Sequence, residues 1–120
     1  MFTVAIDFDD TLTYKAEYPN TGDIRNEIVP LLHTLHDRGL RLALNTCRNK
    51  EFFMEAVDIL KTHNLYDLFD WEYIFNKENH GYTGKLYADI YIDDKSMLCD
   101  IDTVDWNVVE TYILTKLEII

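Results

Sequence analysis

A chain of 120 residues in which 11 Lys and Arg face 22 Asp and Glu has a formal charge of -11, which repels phosphate backbones and anionic lipid and so excludes nucleic acid and membrane surfaces as expected partners. Its length suits one domain, residues 1–120, and is too short for a second of useful size. With 48% hydrophobic and 13% aromatic residues it reads as a folded globule, not a disordered segment. There is no apolar run of about 18 residues or more and no basic leader, so a cytoplasmic chain is expected. Cys47 and Cys99 lack zinc-site spacing and are too few for a disulfide framework, in keeping with reduced thiols.

In chain order, residues 2–6 form a short apolar, β-branched run that ends in acids, the pattern of a buried parallel strand whose carboxyl end carries function. Residues 23–38 place Ile24, Ile28, Leu31, Leu32 and Leu35 at helical spacing, with Pro30 expected to disturb the early turns. A second strand is expected over 40–45 and a helix over 52–63 carrying Phe53, Val57 and Leu60. Residues 71–75 read as a third strand and 90–92 as a fourth, again followed by acids. Thr103 or Asp105 is expected to cap a last helix bearing Val108, Val109, Tyr112, Ile113 and Leu117. Strands alternating with helices predict an α/β, three-layer Rossmann-like fold: a central parallel sheet, helices on both faces, and ligands at the carboxyl ends of the strands.

The chemistry concentrates at those ends. Asp7-Phe8-Asp9-Asp10-Thr11 follows the first strand, and strand alternation would point Asp7 and Asp9 the same way. Asp93-Asp94 follows the last strand, so parallel neighbours would converge up to four carboxylates on one rim. Such crowding calls for a cation, and hard oxygen donors favour Mg2+ or Ca2+, with few protein ligands and several waters suiting Mg2+. Thr46 and Lys85 would place a hydroxyl and an ammonium on the same rim, where they suit a phosphoryl group.

These four segments, in this order, resemble the motifs of the haloacid dehalogenase superfamily, phosphohydrolases with an aspartate nucleophile. The likeness runs from residue 2 to about 110: the strand with Asp-x-Asp-x-Thr at residues 4–11, the strand ending in Thr46, the lysine at Lys85, and the acidic pair Asp93-Asp94. The resemblance implies that Asp7 attacks phosphorus while Asp9 serves as general acid and then general base. It also implies Mg2+ held by Asp7, the backbone carbonyl of Asp9 and Asp93, with Asp94 binding directly or through water. Lys85 is preferred to Lys77 for its nearness to the acidic pair, across a loop made flexible by Gly81 and Gly84. Arg48 is expected either to reach substrate phosphate or to stay with its helix or solvent. Asp10 stands where the family commonly has Gly, a position that Asp's tolerance of unusual backbone angles can serve.

No cap domain is expected, since residues 12–45 and 47–84 are used up by core elements. The site should then be open, which suits a large phosphorylated substrate or a homo-oligomer in which a neighbour covers it. Residues 14–20, with two tyrosines, offer a substitute lid. The competing reading is a non-catalytic or receiver-like module that binds Mg2+ and phosphate. In receivers, however, the phosphorylated aspartate follows a middle strand, and a stable phospho-aspartate has no need of an acid two residues on.

Overall fold

The structure, a computed structural model, describes residues 2–15, 17, 20–48, 50–76, 78, 86–93 and 104–116. Lys77, Lys85, Asp94, Cys99 and Leu117 lie outside the described residues.

The chain is α/β, with a parallel sheet flanked by helices in a three-layer Rossmann-like arrangement. Strand β1 (Thr3–Asp7) lies between β4 (Arg41–Asn45) and β5 (Ile90–Ile92), parallel to both. Val4, Ala5 and Ile6 are all buried, although successive strand side chains point to opposite faces. Both faces of the central strand are therefore covered, and the unbroken apolar run of residues 4–6 follows from that. Asp89 sets the start of β5: its carboxylate accepts from the Thr3 backbone N–H (2.8 Å) while its own N–H donates to the Thr3 carbonyl (2.9 Å).

Helix α1 (Val29–Asp37) lies against β4 and against α4 (Trp106–Lys116), burying Leu31, Leu32 and Leu35. The expected helix over 23–38 is thus shorter. Ile24 belongs to a small antiparallel hairpin, β2 (Thr13–Tyr14) with β3 (Asp23–Ile24), and Asn26–Ile28 is a single tight turn before Pro30 opens α1. Proline suits a helix start because the N–H it lacks would have no partner there. Helix α2 (Lys50–Thr62) buries Val57 and Leu60, as the spacing predicts, together with Ala56, while Phe53 is half-buried against the core.

Both α1 and α2 stop by the same device. After α1, Gly39 takes φ +83° and donates to the His36 carbonyl while Leu40 donates to Leu35; after α2, Asn64 takes φ +59° and donates to Lys61 while Leu65 donates to Leu60. Each stop ends with a leucine buried beside the helix's own last core leucine, the apolar contact that accompanies this kind of C-terminal turn.

Two expectations are corrected. Residues 71–75 are not a strand: Trp71–Phe75 is a short helix, α3, whose start is fixed by Asp70 accepting from the Tyr73 backbone N–H (3.0 Å). The extended contact falls instead on Phe69, which bridges Leu42 in parallel. Arg41 joins the two elements, with Asp70 at 3.0 Å and the Tyr73 ring 4.1 Å below its guanidinium. In α4, Ile113 is buried and Val109 half-buried as expected, but Val108 and Tyr112 are exposed, and Trp106 and Leu114 are buried in their place. At 3.6 residues per turn, 108 and 112 form a stripe away from 106 and 113.

The hairpin hangs on a buried arginine. Arg25 donates from Nε to the Thr11 carbonyl (2.8 Å) and from Nη2 to the Thr13 carbonyl (3.4 Å), and is 4% exposed. Arg25→Met keeps the bulk and removes these donors from buried carbonyls. It is expected to lower stability by about 2 kcal/mol, read as a lower urea midpoint at unchanged m-value. A midpoint equal to wild type would show that the hairpin is held by something else.

Among the described residues no helix is long and apolar enough to cross a membrane.

Candidate active site

The carboxyl edge of the sheet is set by strand register. Asp7 pairs with Asn45 of β4, and Ile6 with Ile92 of β5. Thr46 is one residue beyond Asn45, and the next position along β5 brings Asp93 level with Asp7. Neighbouring strands lie about 4.8 Å apart, so Asp7, Thr46 and Asp93 share one rim, each half-buried.

The chain leaves β1 through one wide turn, Phe8–Leu12, in which Asp9 is extended (φ -69°, ψ 130°) and Asp10 is left-handed (φ 63°, ψ 11°). Asp10 thus occupies a backbone region that Gly or Asp adopts at least cost. Thr11, fully buried, donates from Oγ1 to Asp7 Oδ2 at 3.4 Å, and Thr13 donates from Oγ1 to the Phe8 carbonyl at 3.2 Å. The strand has ended by Asp9, so alternation along a strand does not describe its direction.

Asp9 is turned to Arg48. The guanidinium meets the carboxylate two-pronged, Nε to Oδ2 and Nη2 to Oδ1, both at 2.8 Å. The Arg48 side chain is 1% exposed, against 25% for Asp9. It also donates to the carbonyls of Phe52 and Asn20, each at 3.3 Å, lies 3.8 Å from Glu55 and stands 5.5 Å from the centre of the Phe8 ring. Of the alternatives expected for this arginine, it does stay with its helix, through the Phe52 carbonyl and Glu55, but it is buried and not solvated, and its fork is turned to the second aspartate. Sequence reasoning missed this pair. Its available signal was an arginine two residues past Thr46, where the chain doubles back so that the Arg48 N–H donates to Thr46 Oγ1 at 3.1 Å.

No protein-family model matches the sequence, and no curated protein matches it. A solved structure, that of a conserved protein from Bacteroides thetaiotaomicron, is similar to this chain at 28% identity, covering 95% of this chain and 90% of that one with a TM-score of 0.75. That likeness agrees with the α/β fold of the described residues.

For a cation, the described residues offer the carboxylates of Asp7 and Asp93 on the rim; the backbone carbonyl of Asp9 is the third ligand that the motif resemblance implies. No three acidic, His or Cys side chains among the described residues come together as a metal cluster. Two carboxylates and a carbonyl are a sparse, all-oxygen set, which fits a small hard cation that keeps several waters and fits poorly a softer one that needs nitrogen or sulfur. Lys85 and Asp94, the remaining members of the expected constellation, lie outside the described residues, although Leu86, the next residue after Lys85, is buried. Beyond it, Tyr91 ties the approach to β5 by donating to the Leu86 carbonyl (2.7 Å) and accepting from the Ala88 N–H (3.0 Å). Of the lid segment, Tyr14 belongs to β2 and Asn20 is held through its carbonyl by Arg48.

Proposed function

We propose that this chain is a cytoplasmic, Mg2+-dependent phosphomonoesterase of the haloacid dehalogenase type. The observation that supports it best is the register of β4, β1 and β5, which aligns Asp7, Thr46 and Asp93 on one rim with Asp9 beside it. That a carboxylate nucleophile, a hydroxyl and a metal-ligating carboxylate should meet at the carboxyl edge of a parallel sheet matches the needs of phosphoryl transfer, in which positioning and charge neutralisation carry most of the catalysis.

In this reading an oxygen of Asp7 attacks the phosphorus of the bound monoester and the ester P–O bond breaks. Asp9 gives its proton to the departing oxygen, leaving phosphate covalently on Asp7. Water then attacks that phosphorus as Asp9 takes the proton, the bond to Asp7 breaks, and inorganic phosphate departs. Thr46 Oγ1 accepts from Arg48 N–H, and its own hydrogen would be donated to an oxygen of the transferring group. Lys85 would add positive charge there. Mg2+, held by Asp7, the Asp9 carbonyl and Asp93 with Asp94 near by, would neutralise charge between nucleophile and phosphate. An open rim suits a phosphorylated macromolecule, or a small phosphate ester under a neighbouring copy of the chain.

The test is phosphate release from an aryl phosphate and a panel of sugar and nucleotide monophosphates, with Mg2+ or with chelator. Turnover present with Mg2+ and lost on chelation is expected. No hydrolysis of any substrate, together with a melting temperature that Mg2+ still raises, would replace the enzyme with a Mg2+- and phosphate-binding module.

A further inference from the structure

We infer that Arg48 is the positioning residue for Asp9, acting on the substrate only through that carboxylate; the inference rests on the phosphohydrolase reading above. Asp9 lies in a wide turn and not in the strand, and is followed by a left-handed residue. Regular backbone structure therefore does little to aim its side chain. Arg48 supplies the aim. Its fork binds both carboxylate oxygens at 2.8 Å, and the fork is itself fixed by carbonyls from two separate segments, Phe52 in α2 and Asn20 in the loop, and by the Phe8 ring beneath it.

The same contacts argue against Arg48 as a phosphate ligand. A side chain 1% exposed with its N–H groups directed at Asp9 and two carbonyls would have to break a charge-assisted, two-pronged pair to reach an incoming anion. Asp9, at 25% exposure, keeps an open side. Each carboxylate oxygen has two lone-pair positions, and Arg48 takes one on each, so one on each oxygen stays open, where a proton can be carried to the leaving oxygen and later taken from water. Lysine cannot reproduce this, because an ammonium presents a point charge and no planar fork.

The experiment compares kcat/KM for 4-nitrophenyl phosphate, whose phenolate leaves without a proton, with that for a simple alkyl phosphate, whose alkoxide needs one. Wild type, Arg48→Lys, Asp9→Asn and the double variant are each assayed with Mg2+. Because the ratio of the two substrates is taken within one variant, it does not depend on how much of that variant is folded. Arg48→Lys is expected to lower the alkyl value by about 100-fold or more and the aryl value by less than about tenfold. In the Asp9→Asn background it should lower neither further, the non-additivity of two residues acting as a unit. Equal falls on both substrates with a raised KM would make Arg48 a phosphate ligand and overturn the inference, as would a fall that persists undiminished without Asp9. If wild type hydrolyses neither substrate, the phosphohydrolase reading falls and takes this inference with it; if wild type turns over and the ratio is unchanged in Arg48→Lys, the inference alone falls.

Discussion

Asp7→Asn is expected to reduce Mg2+-dependent phosphate release by on the order of 10⁴-fold or more while leaving the fold intact. The amide matches the carboxylate in size, and Asp7 is a half-buried residue at the end of a strand whose burial is carried by Val4, Ala5 and Ile6. The Thr11 hydroxyl, which donates to Asp7 Oδ2 at 3.4 Å, can donate equally to an amide oxygen. What is lost is the anionic oxygen, which the proposed reaction needs as nucleophile and as metal ligand. A neutral amide oxygen does both poorly. Phosphate release measured beside thermal melting separates the two effects. A folded variant with no turnover fits Asp7 in its double role as nucleophile and metal ligand, whereas appreciable turnover would place the nucleophile elsewhere.

Phe8→Ala should have the largest effect on stability. Phe8 is completely buried between the two aspartates, its carbonyl accepts from both the backbone and the hydroxyl of Thr13, and its ring underlies the Arg48 guanidinium. Removing a buried phenyl group costs about 3–5 kcal/mol through lost transfer energy and the cavity left behind. Against a total stability of about 5–15 kcal/mol, that is a large share. The cavity would lie under the turn that carries Asp9 and beneath the arginine that holds it. Activity should therefore fall at temperatures where the variant is still folded. Urea denaturation and turnover at low temperature check the two parts, with Phe8→Leu as the comparison that keeps most of the volume. A loss of stability below about 1 kcal/mol would show that the site collapses around the smaller side chain without cost.

The parallel sheet was legible because its strands are short apolar runs, a local signal that survives in any context. Residues 3–7 and 90–92 also turn acidic at their carboxyl ends, whereas 41–45 ends in Asn45 and is followed by Thr46. The stretch 71–75 misled because a five-residue run with four aromatic or apolar members, broken only by Glu72, fits a strand or a helix equally well. A single side chain, the Asp70 carboxylate accepting from the Tyr73 N–H, tips the balance toward helix. The start of α1 was displaced because Ile24 follows helical spacing by coincidence while pairing with Thr13 in the hairpin, a contact that spacing alone does not report. The apolar residues of α4 divide between core and surface according to which face meets α1, and that is again a matter of partners.

The sequence by itself determined that the chain is α/β, that acids gather at the ends of its first and last strands, and that a threonine ends the strand between them. Each of these follows from local composition and the two-residue period of a strand. Only the tertiary structure decided that Asp7, Asn45 and Asp93 lie at one level, since register is a property of pairs of strands. Only it joined Asp9 to Arg48, residues that come together because the turn after β1 and the loop after β4 leave the same edge of the sheet. Two opposite charges far apart in sequence carry no mark of one another; their geometry exists once the backbone between them is folded.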